Sequence, residues 1–396
     1  MDHCPPRPTC RDDFEIAIIT ALPLEYEAVT DIFDGFWNDD GDPYGKSKGD
    51  QNTYTTGWIG QHNVVLVICS DIGKVNASSA ATSCSMSFPH VKLAFLVGVC
   101  GVAPQTSNGD ELLLGDVVVS DQIVACDFGR RYADGIKLKC HPSYKTSATS
   151  HAIHRFMKIM QIDHYRELLP RRAMEHLKVI QDNYHDKYKS PQRIEDKLFL
   201  PEYRHKHQLP GVCQICYECT TTSEPVCDSA LTSTCQELGC DESQLILRQR
   251  LAEDRIQQNP IVHWGTFASA DTVLKSAQDR DQIARDYGVI GFEMEATGAC
   301  DVFPCVVIKA ACDYADSHKN KKWQKYAAVM AACVMKALLQ WYPSTDRQIK
   351  PSDLNALLRL EREIPPRIYH NDLVTVNDAL GGTYNFNLSF IDSWEV

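Results

Sequence analysis

Phe14-Glu15-Ile16-Ala17-Ile18-Ile19-Thr20 runs directly into Ala21-Leu22-Pro23-Leu24-Glu25-Tyr26-Glu27. The first stretch is almost continuously apolar, the pattern of a strand buried on both faces. Leu24, Ala28, Val29, Ile32 and Phe33 then recur at helical spacing. The same alternation repeats along the chain. Asn63 to Ser70 is a second buried strand, and Asp71-Ile72-Gly73-Lys74-Val75-Asn76 turns it into an Ala/Ser-rich helix through Cys84. Lys92 to Val99, Asp116 to Val119, Gly288 to Phe292 and Cys305 to Ala310 supply further strands. Strands apolar on both faces, separated by helices, predict an α/β domain: a central, mixed, twisted sheet flanked by helices. Ligands are then expected where strand ends meet glycine-rich turns.

The 396 residues include 40 basic and 52 acidic side chains, for a net charge of −12. So acidic a surface repels nucleic-acid phosphate and offers no basic patch for a membrane. No apolar run is long enough to span a bilayer. The opening Met1-Asp2-His3-Cys4-Pro5-Pro6 lacks the basic start and apolar core of a secretory signal. A cytoplasmic protein is expected, and its many cysteines are then expected as thiols rather than disulfides.

Two regions break the pattern. Residues 141–262 are polar, rich in His, Tyr, Arg and Lys, and read as an insertion between two halves of one sheet. Within it a helix is predicted over Ile153 to Leu169, with Phe156, Ile159 and Met160 on one face. A strong helix follows over 322–342, its apolar side marked by Tyr326, Val329, Cys333 and Leu338. These bounds define a domain over residues 13–343. Residues 344–396 form an appendage: an amphipathic helix over Asp353 to Glu363, then two strands around Leu373 to Val376 and Tyr384 to Leu388 that read as a hairpin.

Four segments put acidic or glycine residues at the rim of the sheet. They are Thr20 to Glu27; Asp71 to Ala77 together with Val97-Gly98-Val99-Cys100-Gly101; Gly291-Phe292-Glu293-Met294-Glu295-Ala296; and Ala310 to Asp316. Gly98 and Gly101 allow close backbone approach and present amide donors to a flat polar ligand. Neither segment is a P-loop or a GxGxxG fingerprint. Asp313 and Glu25 can form an acid/base pair, and Glu295 can accept paired hydrogen bonds from a sugar diol. Each carboxylate alone would read more simply as a helix cap or a solvated strand end.

Taken in order, Ala21 to Glu25, Ser70 to Ala77, Val97 to Gly101, Leu112 to Asp121, Phe292 to Ala296 and Cys312 to Asp316 resemble the purine nucleoside phosphorylase/nucleosidase superfamily. The nearest branch is the methylthioadenosine/adenosylhomocysteine nucleosidase type. Cys312 to Ala328 (CDYADSHKNKKWQKYAA) looks like the nucleosidase-like domain at the front of fungal multidomain NLR-like proteins. The tail hairpin resembles the opening strands of a ubiquitin-like domain. The superfamily resemblance implies that Asp313 protonates purine N7, that Glu25 activates water, and that Glu295 binds the ribose hydroxyls with Met294 against the sugar. Glu293, Gly98, Val99, Cys100 and Gly101 fall in its substrate-binding segments. Val273 stands where the family often places an aromatic under the base. No cofactor is implied, no metal is assigned to the site, and a purine nucleoside substrate and a homo-oligomer are expected.

Phosphorylases of this superfamily usually carry an arginine and a hydroxyl residue where this chain has Leu96 and Val99, and Glu25 would repel phosphate. Hydrolysis is therefore expected, giving free base and ribose. Arg204, His205 and His207 leave open an AMP-type nucleosidase that binds a 5′-phosphate. A catalytically silent nucleoside-sensing or oligomerisation module is the reading from another class. Cys213-x-x-Cys216-x-x-Cys219, near His205 and His207 and followed by Cys227, Cys235 and Cys240, has some character of a zinc site but lacks a second CxxC at ribbon spacing.

Overall fold

A computed structural model describes residues 4–127, 129–132, 135–138, 151–221, 224–252, 259–343, 373–377 and 383–387. The chain divides into two units, Met1–Tyr342 and Pro343–Val396. The first is built on nine strands: β1 (Ile16–Thr20), β2 (Gly35–Phe36), β3 (Tyr54–Ile59), β4 (His62–Ile68), β5 (Leu93–Val102), β6 (Val117–Ala125), β9 (Val262–Ser269), β10 (Val289–Glu293) and β11 (Cys305–Asp313). A small separate ribbon pairs β7 (Gly129–Tyr132) with β8 (Gly135–Leu138). The sheet order is β10-β9-β6-β11-β5-β1-β4-β3-β2. β1 lies parallel to β4 and β5, whereas β11 is parallel to β5 and antiparallel to β6. The sheet is mixed, as expected.

One pairing makes the site possible. β10 also pairs antiparallel with the far end of β5, Gly291 opposite Val102 and Phe292 opposite Gly101. The sheet thus curls so that its first strand in the order meets its fifth. In the neighbouring pair, Asp313 stands opposite Gly101, with the register slipping at Cys312. Three motifs far apart in sequence therefore converge on Gly101.

The helices are α1 (Pro23–Asp31), α2 (Lys74–Ser87), α3 (His151–Met160), α4 (Asp163–Tyr184), α5 (Gln214–Glu218), α6 (Cys235–Leu238), α7 (Gln249–Ala252), α8 (Ala277–Tyr287), α9 (Ala296–Cys300) and α10 (Gln324–Trp341). α10 lies across β5 and β11, with α1 and α4 beside it, and α2 packs on α9. Tyr326, Val329, Cys333 and Leu338 are buried, but so are Ala327, Ala328, Met330 and Met335 on its other sides. With the sheet on one side and helices on others, α10 is a core helix rather than an amphipathic one. Truncating a side chain such as Leu338 to alanine there costs about 2–5 kcal/mol.

The polar stretch contributes to the same core. Leu169, Ala173, Leu177 and Ile180 of α4 repeat at helical spacing and are buried with α10 in the main hydrophobic cluster. The helix expected over Ile153 to Leu169 is two helices, broken at Gln161-Ile162 ahead of Asp163. Phe156 and Met160 are buried together with Ile153 and Met157, whereas Ile159 is 49% exposed and lies off that face. No described helix is long and apolar enough to cross a membrane.

In the second unit, β12 (Leu373–Asn377) and β13 (Thr383–Asn387) pair antiparallel, with Leu373 opposite Asn387 and Asn377 opposite Thr383. The expected hairpin strands are present. The helix expected over Asp353 to Glu363 lies outside the described residues.

Candidate active site

Glu25 is the third residue of α1, and its carboxylate turns back over the start of that helix. Oε2 accepts hydrogen bonds from the amides of Ala21 and Leu22, both at 2.9 Å, and Oε1 accepts one from Val99 at 2.7 Å. The first-turn position also places its charge favourably against the helix dipole. Three amides use three of about four acceptor positions on a carboxylate, which leaves Oε1 able to take one more donor. Glu25 is only 1% exposed.

Gly98 is what lets that carboxylate in. A Cβ on Gly98 would collide with both oxygens of Glu25. Gly101 does the same for the other acid, since a Cβ there would come within 2.8 Å of Asp313 Oδ1. The reading of Val97 to Gly101 as a ligand-facing amide loop thus has a different physical basis: its two glycines clear space for two carboxylates, and its Val99 amide is already spent on Glu25.

Asp313 ends β11. Its Oδ1 accepts the amide of Ala315 at 2.8 Å and pairs with Lys319 Nζ at 3.0 Å. Ala315 is held at φ +52°, a left-handed conformation unusual for a residue with a Cβ, so the turn that carries Asp313 stores backbone strain.

Glu295 accepts the Gly73 amide on Oε1 at 3.2 Å and Lys309 Nζ on Oε2 at 3.1 Å. Lys309, 1% exposed, also approaches Glu25 Oε1 at 3.6 Å, so one buried ammonium joins two carboxylates that would otherwise repel. Burial opposes its charge, but Glu25, Glu295 and Glu293 outweigh burial and hold Lys309 above its ordinary pKa. Sequence reading missed this residue; the signal was a lone lysine inside Cys305 to Ala311, where every other side chain is apolar.

Glu293 is the anomaly. Its Oε2 accepts the amides of Glu295 and Ala296 at 2.8 and 2.9 Å, while buried Oε1 has no partner. Burial, then the charge of Glu295, push its carboxyl up to about 7, against the pull of Lys309.

These groups face one cavity of about 940 Å³. Its walls include Glu25, Val99, Cys100, Gly101, Val273, Glu293, Met294, Glu295 and Asp313 among the sequence-derived candidates. Gly98 stands behind, against Glu25. Val273 is 47% exposed at the rim, and the rings of Tyr287 and Phe292 contribute apolar wall that sequence reading had not singled out. Seven carboxylates (Glu25, Asp127, Asp279, Asp286, Glu293, Glu295, Asp313) and two lysines (Lys309, Lys319) are among the described lining residues. Each of these lysines is already paired with a carboxylate. Arg204, His205 and His207 do not line this cavity. Arg204 donates to the Glu224 carbonyl, His205 faces His318, and His207 contacts Ser229. The residues that suggested a 5′-phosphate site are therefore elsewhere.

A curled mixed sheet with its acids gathered at the strand ends matches what the motifs imply. Residues 15–165 match the model of the phosphorylase superfamily. The superfamily match covers β1 through the start of α4 and includes Glu25 and the Val97 to Gly101 segment. A nucleotide-binding leucine-rich repeat (NLR)-like protein of Hyaloscypha variabilis is 28% identical over 338 residues, 83% of this chain. The chain spans 29% of that relative's length. The resemblances to this superfamily and to fungal NLR-like proteins are borne out. Solved structures with similarity include futalosine hydrolase of Helicobacter pylori, 15% identical, covering 83% of this chain and 98% of that one with a TM-score of 0.47. Another is 5′-methylthioadenosine/S-adenosylhomocysteine nucleosidase of Neisseria meningitidis in complex with methylthio-immucillin-A, 16% identical, covering 83% and 99%, with a TM-score of 0.45. A third, S-adenosylhomocysteine nucleosidase of Streptococcus pyogenes, is 17% identical over 84% and 98%, with a TM-score of 0.47.

Proposed function

We propose that the chain hydrolyses the N-glycosidic bond of purine ribonucleosides, releasing free base and ribose. The observation that carries this reading is Asp313 and Glu25 facing one acidic cavity, with Glu295 tied to Glu25 through Lys309. In the proposed reaction Asp313 gives a proton to purine N7, and the C1′–N9 bond breaks with its electron pair going to the base. Positive charge then grows on the ribose, which a ring of carboxylates stabilises. Glu25, through the acceptor position left on Oε1, takes a proton from the water whose oxygen bonds to C1′. Glu295 holds the ribose hydroxyls. Atoms balance as nucleoside plus water giving base plus ribose.

Phosphate is a poor co-substrate for such a cavity. A dianion needs unpaired cationic donors, and both lining lysines are neutralised by carboxylates. The same charge argues against a 5′-phosphorylated substrate. Incubation with adenosine, inosine, guanosine and AMP tests the proposal: base release from at least one unphosphorylated nucleoside is expected, with AMP the poorer substrate. Release from AMP alone would overturn it.

A second reading, a nucleoside sensor without turnover, draws on the half-exposed Val273 where an aromatic would stack on the base, and on the likeness to an NLR-like protein. Nucleoside binding seen by calorimetry without base release would favour it.

A further inference from the structure

A second constellation, outside the acidic cavity, joins the cysteine-rich segment to His318. His205, Cys235, Cys240 and His318 each present one ligand atom, and these four atoms lie within 4.8 Å of one another. The Nδ1 atoms of His205 and His318 are 3.2 Å apart. Cys235 Sγ lies 3.7 and 3.5 Å from them, and Cys240 Sγ 3.8 and 3.9 Å. A tetrahedral zinc about 2.3 Å from sulfur and about 2.0 Å from nitrogen has ligand–ligand edges of about 3.3–3.8 Å. The cluster has those dimensions.

The far side of each imidazole gives an independent argument. His205 Nε2 meets the Ser233 carbonyl at 2.9 Å, and His318 Nε2 meets the Tyr203 carbonyl at 3.1 Å. A carbonyl only accepts, so both Nε2 atoms carry hydrogen. In the neutral rings both Nδ1 atoms are then acceptors, 3.2 Å apart, with the Cys235 and Cys240 sulfurs beside them. Nothing in a pair of neutral imidazoles holds that arrangement, whereas a cation between them does. An Nε2–H donated to a carbonyl is also the usual outer support of a metal-bound histidine. The site is shielded: His205 and His318 are 6% and 7% exposed, and Phe199 stacks on the His318 ring at 4.1 Å.

We propose that His205, Cys235, Cys240 and His318 bind one structural zinc ion, which fastens the cysteine-rich segment to the turn that carries Asp313. Cys235 and Cys240 are brought together by α6, which ends at Gly239 in a left-handed conformation (φ +70°). His318 comes from the other side, five positions beyond Asp313 and adjacent to Lys319, its ion-pair partner. All four shell positions are filled by protein, the mark of a structural rather than a catalytic zinc.

This is a different ligand set from the one the spacing around Cys213-x-x-Cys216-x-x-Cys219 suggested. Cys219 Sγ faces the carbonyls of Thr221 and Glu224, and His207 faces Ser229. Cys213, Cys216 and Cys227 do gather, but as three thiols they make an incomplete shell.

The test is zinc content by native mass spectrometry of the full chain, purified without chelator from zinc-supplemented cells. Wild type is expected to retain zinc, and Cys240→Ser and His318→Ala each to carry one zinc fewer per chain. Zinc-free wild type, a Cys235–Cys240 disulfide in its peptide map, or unchanged zinc in both variants overturns the proposal. Should the variants not fold, X-ray absorption of zinc in the wild type decides. Nitrogen and sulfur scatterers together are expected; a shell of sulfur alone overturns it.

Discussion

The acidic rim and the cysteine-rich segment are both held together by polar side chains, yet the chain assembles them in opposite ways. At the rim, Glu25, Glu293 and Asp313 each belong to a short motif whose backbone also supplies a partner, whereas Glu295 takes the distant Gly73 amide. Glu25 is bound by amides three and four residues before it, and Glu293 by amides two and three after it. Strand pairing then brings the finished pieces together at Gly101. In the cysteine-rich segment α6 brings Cys235 and Cys240 together locally, but the cluster is completed only over long range: His205 meets His318 113 positions away. Local motifs can be read from sequence and carry the proposed chemistry; the long-range cluster cannot, and is proposed to hold the chemistry's scaffold.

If that division is right, the largest effect comes from the rim. Asp313→Asn should lower base release by about 10²–10⁴-fold, the scale of a lost general acid, with the fold intact by circular dichroism. Near-normal turnover would end the proton-transfer account. Lys309→Met should act on stability, because it leaves Glu25 and Glu295 buried without their shared cation. Denaturant titration should show a loss of about 3–5 kcal/mol. A stability equal to wild type would mean that the rim does not depend on that charge.

Gly101→Ala sharpens the claim that the glycines serve the acids. Displacing Asp313 should cost about 10–10²-fold in turnover while leaving nucleoside affinity, read by calorimetry, much less changed. Loss of affinity with unchanged turnover would restore Gly101 to a ligand-facing role.

Glu293 gives a pH test. Its folded-state pKa is raised, so the protonated form stabilises the fold. That contribution is fully present below about pH 4.5 and is lost as pH rises through about 7. Between pH 5 and 8 the wild type should lose on the order of 2–3 kcal/mol that Glu293→Gln does not. Parallel stability curves for the two proteins would remove Glu293 from the account. The smallest effect is expected at the tail. Every described residue lining the cavity precedes residue 325, so truncation after residue 345 should leave activity per folded chain unchanged. A folded but inactive truncation would show that the tail completes the site.

The sequence made the strands of the sheet's centre legible because Ile16 to Thr20, Val64 to Val67 and Leu93 to Val97 are buried on both faces, which forces a continuous apolar run. β3 and β9 escaped notice because Thr55, Thr56, Gly57, His263, Gly265 and Thr266 interrupt that run and both strands are only partly buried. The carboxylates were legible as candidates because strand ends are where such groups gather. Their orientation was not, since it depends on the curl that pairs β10 with β5. Lys309 was missed for a related reason: its role is set in part by Glu25, an acid that sequence separation hides. The fate of 141–262 was hidden too, because α4 looks polar overall while four of its residues form a narrow buried stripe.

The most direct measurement is product identity in the presence and absence of phosphate. Wild-type protein incubated with a substrate nucleoside in phosphate-free buffer should yield free base and free ribose in equal amounts, and added phosphate should neither speed the reaction nor divert the sugar. Release that requires phosphate and yields ribose 1-phosphate would contradict the account at its centre, because it would mean that a cavity lined by seven carboxylates accepts a phosphate dianion in place of water.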